Sequence, residues 1–124
     1  MRGYFLTNMY LSSIQHGIQA AHCLQEINNQ FPDNAILKDW AENHKTMYVL
    51  NGGTSEQMHG MMYLFKHKSN TLPWATFSEP SLDNALTCIG IIVPEYIYDR
   101  TEDWSPWSFE NELSDLLKSK RFAR

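Results

Sequence analysis

The sequence predicts an α/β domain in which helices flank a four-stranded mixed sheet. Three apolar, strand-like runs (residues 4–11, 45–50 and 86–93) alternate with segments of helical periodicity. A fourth run, LPWATF at 72–77, comes shortly before the last of them. The resulting order β-α-α-β-α-β-β-α is typical of a layered α/β domain. One domain therefore spans residues 1–124.

The composition limits the classes of function. Hydrophobic residues make up 43% of the chain, which excludes a disordered polymer. The formal net charge of −4 argues against general nucleic-acid binding, because such binding needs a basic surface. Cys23 and Cys88 both lie in apolar surroundings and are predicted to be buried, reduced thiols. Because no apolar run reaches membrane length either, we expect a cytoplasmic protein without a membrane partner.

The first helix is predicted to begin after a capping hydroxyl at Ser12 or Ser13 and to end near Gln30. Residues at helical spacing are expected to face the core, namely Ile14, Ile18, Ala21 and either Cys23 or Leu24. The neighbouring face is mostly amide and imidazole, and consists of Gln15, Gln19, His22 and Glu26, with His16 close by. Two interpretations stay open for this face: a solvated helix surface, or a recognition surface at a helix start that favours anions.

The other elements have recognisable boundaries. A short helix is expected at about 35–44, and Thr54 with Gln57 fits a capping box that opens a helix to about His67. Residues 86–93 form the most hydrophobic strand, which is predicted to be central. Ser105 as a cap and Pro106 in the first turn predict a C-terminal helix at about 105–121.

Several polar or aromatic residues at strand ends are candidate ligand contacts. Asn51, Gly52 and Gly53 follow a strand and precede a helix, where glycine lets a ligand approach backbone amides, although an ordinary tight turn fits equally. Phe77 is either a core aromatic or a ring that stacks on a base. The side-chain amide of Asn84 is able to read the edge of a purine.

Other residue types predict less. The five histidines show no HxxxH or HxH pairing and the cysteines no CxxC, so neither a metal site nor a cofactor is predicted. Glu79 and Asp83 suit acid or base chemistry, but loop solvation and turn capping explain them more simply. The basic C-terminal residues are able to contact phosphates, but the preference of cations for a helix C-terminus explains them more simply; they are Lys118, Lys120, Arg121 and Arg124.

The segment SSIQHGIQAAH at 12–22 resembles the opening of type II peptidyl-tRNA hydrolases, where a Gly-Lys-x-Ala-Ala-Gln run starts the first helix. LPWATFSEP and ALTCIGIIVPE are similar to the last two strands of that family. The resemblance implies a peptidyl-tRNA hydrolase type II-like fold over most of residues 4–95. The family's lysine falls on Ile18, its glutamine falls on His22, and its Gly-Arg-Thr loop is absent. The hydrolase activity is therefore not expected to carry over with the fold.

A second resemblance extends over nearly the full chain, in YLSSIQHGIQAAH, HKTMYVLNGG and ATFSEPSLDNALTCIGIIVPE. These segments resemble small phage proteins that counter the bacterial Thoeris defence. The resemblance implies a non-enzymatic protein that sequesters a cyclic ADP-ribose isomer at the subunit interfaces of a homo-oligomer, either a dimer or a larger assembly such as a hexamer. It also implies a ring stacked on adenine, an asparagine that fixes the ligand and an arginine at the pyrophosphate, which fall on Phe77, Asn84 and Arg100. Some members of this family also hold cyclic oligonucleotides.

The leading hypothesis is a protein of the host cytoplasm during phage infection that binds this signalling nucleotide without cleaving it. The ligand-binding residues predicted for it are Gln15, Gln19, Asn51, Gly52, Gly53, Phe77, Asn84 and Arg100. One alternative is a peptidyl-tRNA hydrolase-like esterase whose working groups are Glu79, Asp83 and His22. Another is an oligomeric interaction protein without a small ligand. Trp104 and Trp107 are predicted to form a subunit contact.

Overall fold

The computed structural model describes residues 1–100 and 102–124, and it confirms an α/β fold with helices on both faces of a four-stranded mixed sheet. A π-helical turn, Trp40–His44, extends the second helix, and a 3-10 turn, Pro80–Leu82, follows the third strand. The strands and α-helices are β1 (Arg2–Asn8), α1 (Ser13–Gln30), α2 (Ala35–Asp39), β2 (Met47–Gly53), α3 (Ser55–Phe65), β3 (Trp74–Glu79), β4 (Ala85–Val93), α4 (Glu95–Tyr98) and α5 (Phe109–Ser119).

The strand order of the sheet is β2-β1-β4-β3. β1 and β2 are parallel, whereas β4 is antiparallel to both β1 and β3. The prediction that β4 is central is confirmed, and β1 is the second central strand. Because of these directions, β1, β2 and β3 all end, and β4 begins, at the same end of the sheet. In open α/β sheets the carboxyl ends of the strands are where ligands bind.

Two hydrophobic cores lie on opposite faces of the sheet. On one face α3 and α5 pack on side chains of the central strands such as Leu6 and Ile89. On the other face α1 and α2 pack on Phe5, Cys88 and Ile92. Because β1 and β4 are covered on both sides, their side chains are buried along nearly their whole length. This explains why β4 is a continuous apolar run instead of an alternating one.

The predicted core stripe of α1 is wrong for Ile14, Ile18 and Ala21, which are exposed, and is confirmed for Cys23, which is buried. Ile14 is 73% exposed and Ile18 is 39% exposed. The inward face consists instead of His16, Gln19, Ala20, Cys23 and Ile27. The physical reason is that the sheet offers hydrogen-bond partners to the two polar residues, so they can be buried, while Ala20 and Cys23 are small enough for close packing.

Hydrogen bonds at the helix starts test the predicted caps. The Ser12 hydroxyl accepts from the Gln15 amide, and Thr54 with Gln57 forms the predicted capping box, so both caps are confirmed. The predicted cap at Ser105 is wrong, because Ser108 accepts from the Asn111 amide at the start of α5. Residues 105–108 form a turn that precedes this helix.

Two strand boundaries differ from those predicted. β1 ends at Asn8, because the chain turns there and the Leu11 amide donates to the Asn8 carbonyl. β2 continues to Gly53, which pairs with Asn8. A short helix, α4, begins directly after Pro94, which follows β4. Among the described residues, no helix combines the length and the apolar character that crossing a membrane needs.

The contact between α1 and β4 generates a prediction about two glycines. A Cβ atom on Gly90 would lie 2.8 Å from both Cys23 Sγ and Phe5 Cδ1, so Gly90→Ala should overpack the core and lower the free energy of unfolding by about 1–3 kcal/mol. A Cβ atom on Gly17 would have nothing within 4 Å, so Gly17→Ala should raise the free energy of unfolding by about 0.5–1 kcal/mol. Urea denaturation measures both, and a Gly90→Ala variant as stable as the parent would contradict this packing.

Candidate functional site

Two adjoining cavities lie at the end of the sheet where β1 and β2 terminate. Their volumes are about 340 and 310 Å³, and they share Met9, Asn51 and Arg121. The first is also lined by His16, Phe122 and Arg124, and the second by Gly53, Gln57, Ser119 and Lys120. We call the two together the basic cleft. Its dimensions suit a small organic ligand.

The C-terminal tail positions the cations of the basic cleft. After α5 ends at Ser119, the chain becomes extended at Lys120. The Asn51 amide then donates to the Arg121 carbonyl at 2.7 Å, and the Ala123 amide donates to the Val49 carbonyl at 2.9 Å. The tail is thus added antiparallel to the free edge of β2, with a bridge between Leu50 and Phe122. This pairing brings Arg121 and Arg124 to the strand ends.

The charged side chains that line the basic cleft are positive. None of the residues that line it is acidic. Within residues 1–100 and 102–124, Lys120, Arg121 and Arg124 take part in no ion pair. Three cations that line these two adjoining cavities, without carboxylate partners in the described part of the chain, favour a negatively charged ligand, and the two guanidinium groups have the planar geometry that binds phosphate oxygens in pairs.

His16 forms part of the wall of the basic cleft. Its side chain is only 5% exposed, and its Nδ1 lies 2.6 Å from Thr7 Oγ1, which itself lies 3.2 Å from the Leu50 carbonyl oxygen. The hydroxyl has one proton, so both contacts are satisfied when Nδ1–H donates to Thr7 and Thr7 donates to Leu50. This arrangement leaves Nε2 as the ring nitrogen that is available to a ligand.

The Asn51–Gly53 segment, which ends β2, borders the basic cleft, but its first and last amides are already engaged. The Gly53 amide donates to Asn51 Oδ1 at 2.8 Å, and the Asn51 amide donates to the tail. Gly53 has a φ of +88°, and a Cβ atom there would collide with Gln57 Oε1, the acceptor in the capping box. A Cβ atom on Gly52 would lie 3.1 Å from the Thr7 carbonyl oxygen. Packing and turn geometry therefore require both glycines, and their contact with a ligand stays a prediction.

Gln15 and Gln19 have different surroundings. Gln19 is fully buried, where its Oε1 accepts from the Thr87 hydroxyl at 2.6 Å and its Nε2 donates to Gln15 Oε1 at 3.1 Å. The interpretation of the whole polar face as a solvated surface is therefore wrong for Gln19. Gln15 is half-buried and lines a separate cavity of about 290 Å³ together with Tyr10 and Glu79.

Phe77 and Asn84 lie near the hairpin between β3 and β4. One face of the Phe77 ring is covered by the imidazole of His22, with the ring centroids 4.5 Å apart and the planes 9° from parallel. Asn84 is exposed and has a φ of +60°, directly after Asp83 with a φ of +54°. Its backbone amide donates to the Glu79 carbonyl at 3.0 Å. Its side chain is therefore held at the tip of a tight loop.

Arg100 lies on the other face of the sheet from Phe77. Its Nε donates to Ser114 Oγ at 3.0 Å, and its guanidinium forms an ion pair with Asp115, both on α5. Phe77 packs instead in the core beneath α1. The predicted residues therefore do not converge within one protomer, since Asn51 and Gly53 border the basic cleft while Phe77 and Arg100 are separated by the sheet.

A further cavity, of about 320 Å³, lies beneath α5 and the tail. We call it the aromatic cavity; its lining includes Tyr4, Tyr48, Tyr98, Phe122, Lys118 and Lys120. The Arg2 guanidinium lies 4.6 Å from the Tyr48 ring centroid and 4.1 Å from that of Tyr98, and its Nη1 donates to the Tyr4 hydroxyl at 3.1 Å. Burial raises the pKa of the Tyr4 phenol, and the hydrogen bond from Arg2 offsets part of that rise. Tyr4 therefore stays neutral beside the cation.

The sequence analysis did not select Arg121, Arg124 or Phe122 as ligand-binding residues. The two arginines were assigned to a helix end, where cations need no ligand to explain them. The sequence did contain a signal for this tail. The segment Arg121–Arg124 mixes polar and apolar residues and comes after Leu117, the last buried leucine of α5. This pattern suits a short extended segment at a sheet edge better than a continued helix.

Comparison with known proteins does not identify a family: no protein-family model matches the chain, and no curated protein matches it either. In the part of the chain that the structure describes, no three histidine, cysteine, aspartate or glutamate side chains are grouped so as to hold a metal ion. The candidate sites are therefore the basic cleft and the aromatic cavity, with the side chains that line them.

The buried amide of Gln19 generates a prediction about stability. Thr87→Val preserves the shape of the side chain but removes the hydroxyl that donates to Gln19 Oε1, so we expect the free energy of unfolding to fall by about 1–3 kcal/mol. Thr76→Val is the matched control: Thr76 is half-buried in β3, and its hydroxyl makes no hydrogen bond to any residue in 1–100 or 102–124. Equal stabilities of the two variants in urea denaturation would contradict a buried hydrogen bond at Gln19.

Proposed function

We propose that this protein binds the cyclic ADP-ribose-derived nucleotide of the Thoeris defence in the basic cleft and sequesters it without cleavage. The observation that carries the proposal is the arrangement of Lys120, Arg121 and Arg124 around a ligand-sized cleft without an acidic lining residue. The phosphate groups of such a nucleotide are negatively charged, and nearby cations stabilise them. The basic cleft offers three cations, together with the side-chain NH2 group of Asn51.

Sequestration requires tight binding, and the cleft has the groups that tight binding needs. A nanomolar dissociation constant corresponds to roughly 12 kcal/mol. Hydrogen bonds to charged groups contribute about 1.5–3 kcal/mol each, so two arginines on a pyrophosphate supply a substantial part. The remainder has to come from the nucleoside and from exclusion of water, which a second copy of the chain would provide.

The surface of α1 supports the proposal of a homo-oligomer. Tyr10, Ile14, Ile18 and Leu82 are large apolar residues exposed by 78%, 73%, 39% and 50% around the start of this helix. We call them the apolar surface of α1. The helix carries a single charged residue, Glu26, so two copies can pack across a two-fold axis without opposing like charges. A site shared between two subunits would also allow Phe77 of one subunit and Arg100 of the other to contact the same ligand.

The host cytoplasm during infection is the compartment that this proposal implies. Cys23 and Cys88 support it, since both are free and buried. Burial raises the pKa of the Cys88 thiol well above its usual value, so this cysteine stays protonated and unreactive. Neither thiol is available to form disulfides with a partner.

Replacing one cation tests the proposed cleft. Arg121→Gln should weaken binding of a cyclic ADP-ribose isomer by about tenfold or more in titration calorimetry, because a charged hydrogen bond to phosphate is lost. Lys38→Gln removes the same charge from an exposed position on α2, where Lys38 is paired only with Asp33 at 3.9 Å, and it should bind like the parent. Equal affinities of Arg121→Gln and the parent would mean that the nucleotide does not bind in the basic cleft.

The fate of the ligand separates sequestration from catalysis. We expect heat denaturation of the complex to release the nucleotide unchanged. A cleaved product would refute sequestration and favour the esterase alternative with Glu79, Asp83 and His22. Absence of binding to the parent protein would refute the proposed function and leave an interaction protein without a small ligand.

The oligomer is tested at the apolar surface of α1. Ile14→Asp should lower the mass measured by light scattering, because a two-fold contact would place two carboxylates against each other in an apolar interface. Tyr63→Asp is the matched control, since Tyr63 is 88% exposed on α3, away from that surface, and its variant should keep the parent's mass. A parent that is monomeric at micromolar concentration, or an Ile14→Asp variant of unchanged mass, would contradict this interface.

A further inference from the structure

The aromatic cavity and the basic cleft are neighbours on the two sides of the C-terminal tail. Phe122 lines both the aromatic cavity and the first part of the cleft, and Lys120 lines both the aromatic cavity and the second part. A ligand that has its phosphates among Arg121 and Arg124 therefore has a second compartment within reach. The two compartments differ in chemistry, because aromatic rings line the first and cations with polar side chains line the second.

Arg2 is an unusual group at the back of the aromatic cavity. It is half-buried, and in the described parts of the chain it forms no ion pair, although Asp99 also lines this cavity. The rings of Tyr48 and Tyr98 hold its guanidinium, and one of its five N–H groups donates to Tyr4. The fixed guanidinium is therefore left with donors for an acceptor that enters the cavity.

Phe122 is an unusual group at the opening of the aromatic cavity. Its ring is 63% exposed, although its edge-to-face contact with Tyr48, at 5.5 Å between centroids, holds it in place. Lys120, Arg121 and Arg124 all lie within two residues of it in the chain. An exposed ring held among cations is the arrangement by which proteins stack a nucleobase while binding its phosphates.

We infer that the aromatic cavity is the base subsite of the proposed nucleotide site: the nucleobase stacks on Phe122 while Arg2 donates to acceptors on the edge of the base. This inference rests on the proposed function and changes one part of it, the position of the base. Phe77 has one face already covered by His22 and lies on the opposite side of the sheet from this cavity. Phe122 instead lies beside the phosphate-binding cations within the same protomer.

The chemistry of the lining favours a nucleobase over other groups. An aliphatic chain would leave the Arg2 donors without acceptors, and a second phosphate alone would make no use of the aromatic rings. A purine ring has a flat face for Phe122 and nitrogen acceptors in its plane for a guanidinium. The expected ligand class is therefore a purine nucleotide with at least one phosphate.

The test compares ligands with and without a base. ADP-ribose and inorganic pyrophosphate are titrated against the parent, Phe122→Leu, Arg121→Gln and Tyr63→Leu. We expect Phe122→Leu to weaken ADP-ribose binding about tenfold and to leave pyrophosphate binding unchanged, because only the stacking contact is lost. Arg121→Gln should weaken both ligands. Tyr63→Leu should alter neither, since Tyr63 is an aromatic residue, 88% exposed, that lines neither compartment.

The outcomes separate this inference from the proposed function. If Arg121→Gln weakens ADP-ribose but Phe122→Leu does not, the base lies elsewhere and the inference is overturned while the cleft stands. If the parent binds neither ligand, the base subsite is overturned, and the proposed function fails with it only if the parent does not bind the cyclic ADP-ribose isomer either. If Phe122→Leu weakens the binding of both ligands, the substitution has moved the tail, and a second variant, Arg2→Lys, is titrated with the same ligands. Weaker binding of ADP-ribose alone by Arg2→Lys supports the base subsite. Unchanged binding of ADP-ribose by Arg2→Lys overturns it.

Discussion

The hydrogen bonds that join α1 to the sheet are the constraint on which the rest of the structure depends. Gln19 contacts Thr87 of β4, and His16 contacts Thr7 of β1. Because buried polar groups are costly without partners, these two bonds fix which side of α1 faces inward. The same rotation holds His16 against the basic cleft and leaves Ile14 in solvent. Core packing, a cleft wall and the proposed subunit surface therefore have one common origin.

The pairing of the C-terminal tail with β2 is a second constraint with equally broad effects. Backbone hydrogen bonds at Asn51 and Val49 hold the tail at the edge of β2, which would otherwise be a free edge for association. They also place Phe122 between two cavities and Arg121 at the strand ends. Truncation of the chain after Ser119 would therefore expose a strand edge and remove all three cationic groups, Lys120, Arg121 and Arg124, from the cleft at the same time.

The parts of the fold that the sequence predicts are those determined by neighbours in the chain. The capping box at Thr54 and the Ser12 cap depend on residues three positions away, and the central position of β4 follows from its unbroken apolar run. The inward face of α1 was mispredicted because Gln19 is polar by itself and becomes a core residue only beside Thr87, 68 positions later. Arg121 was undervalued for the same reason, since its position depends on a backbone contact with Asn51.

The separation of Phe77 from Arg100 constrains any nucleotide-binding hypothesis for this chain. A single protomer cannot place both on one small ligand, because the sheet lies between the core of α1 and the ion pair of Arg100 with α5. Either a second copy brings its own Arg100 towards Phe77, or the base and the phosphates bind together beside the tail. The second arrangement requires no change in the protomer, since Phe122 and Arg121 are adjacent in sequence and, within residues 1–100 and 102–124, the cations there pair with no carboxylate. The position of the base is thus the observation that distinguishes a site within one subunit from a site shared between two.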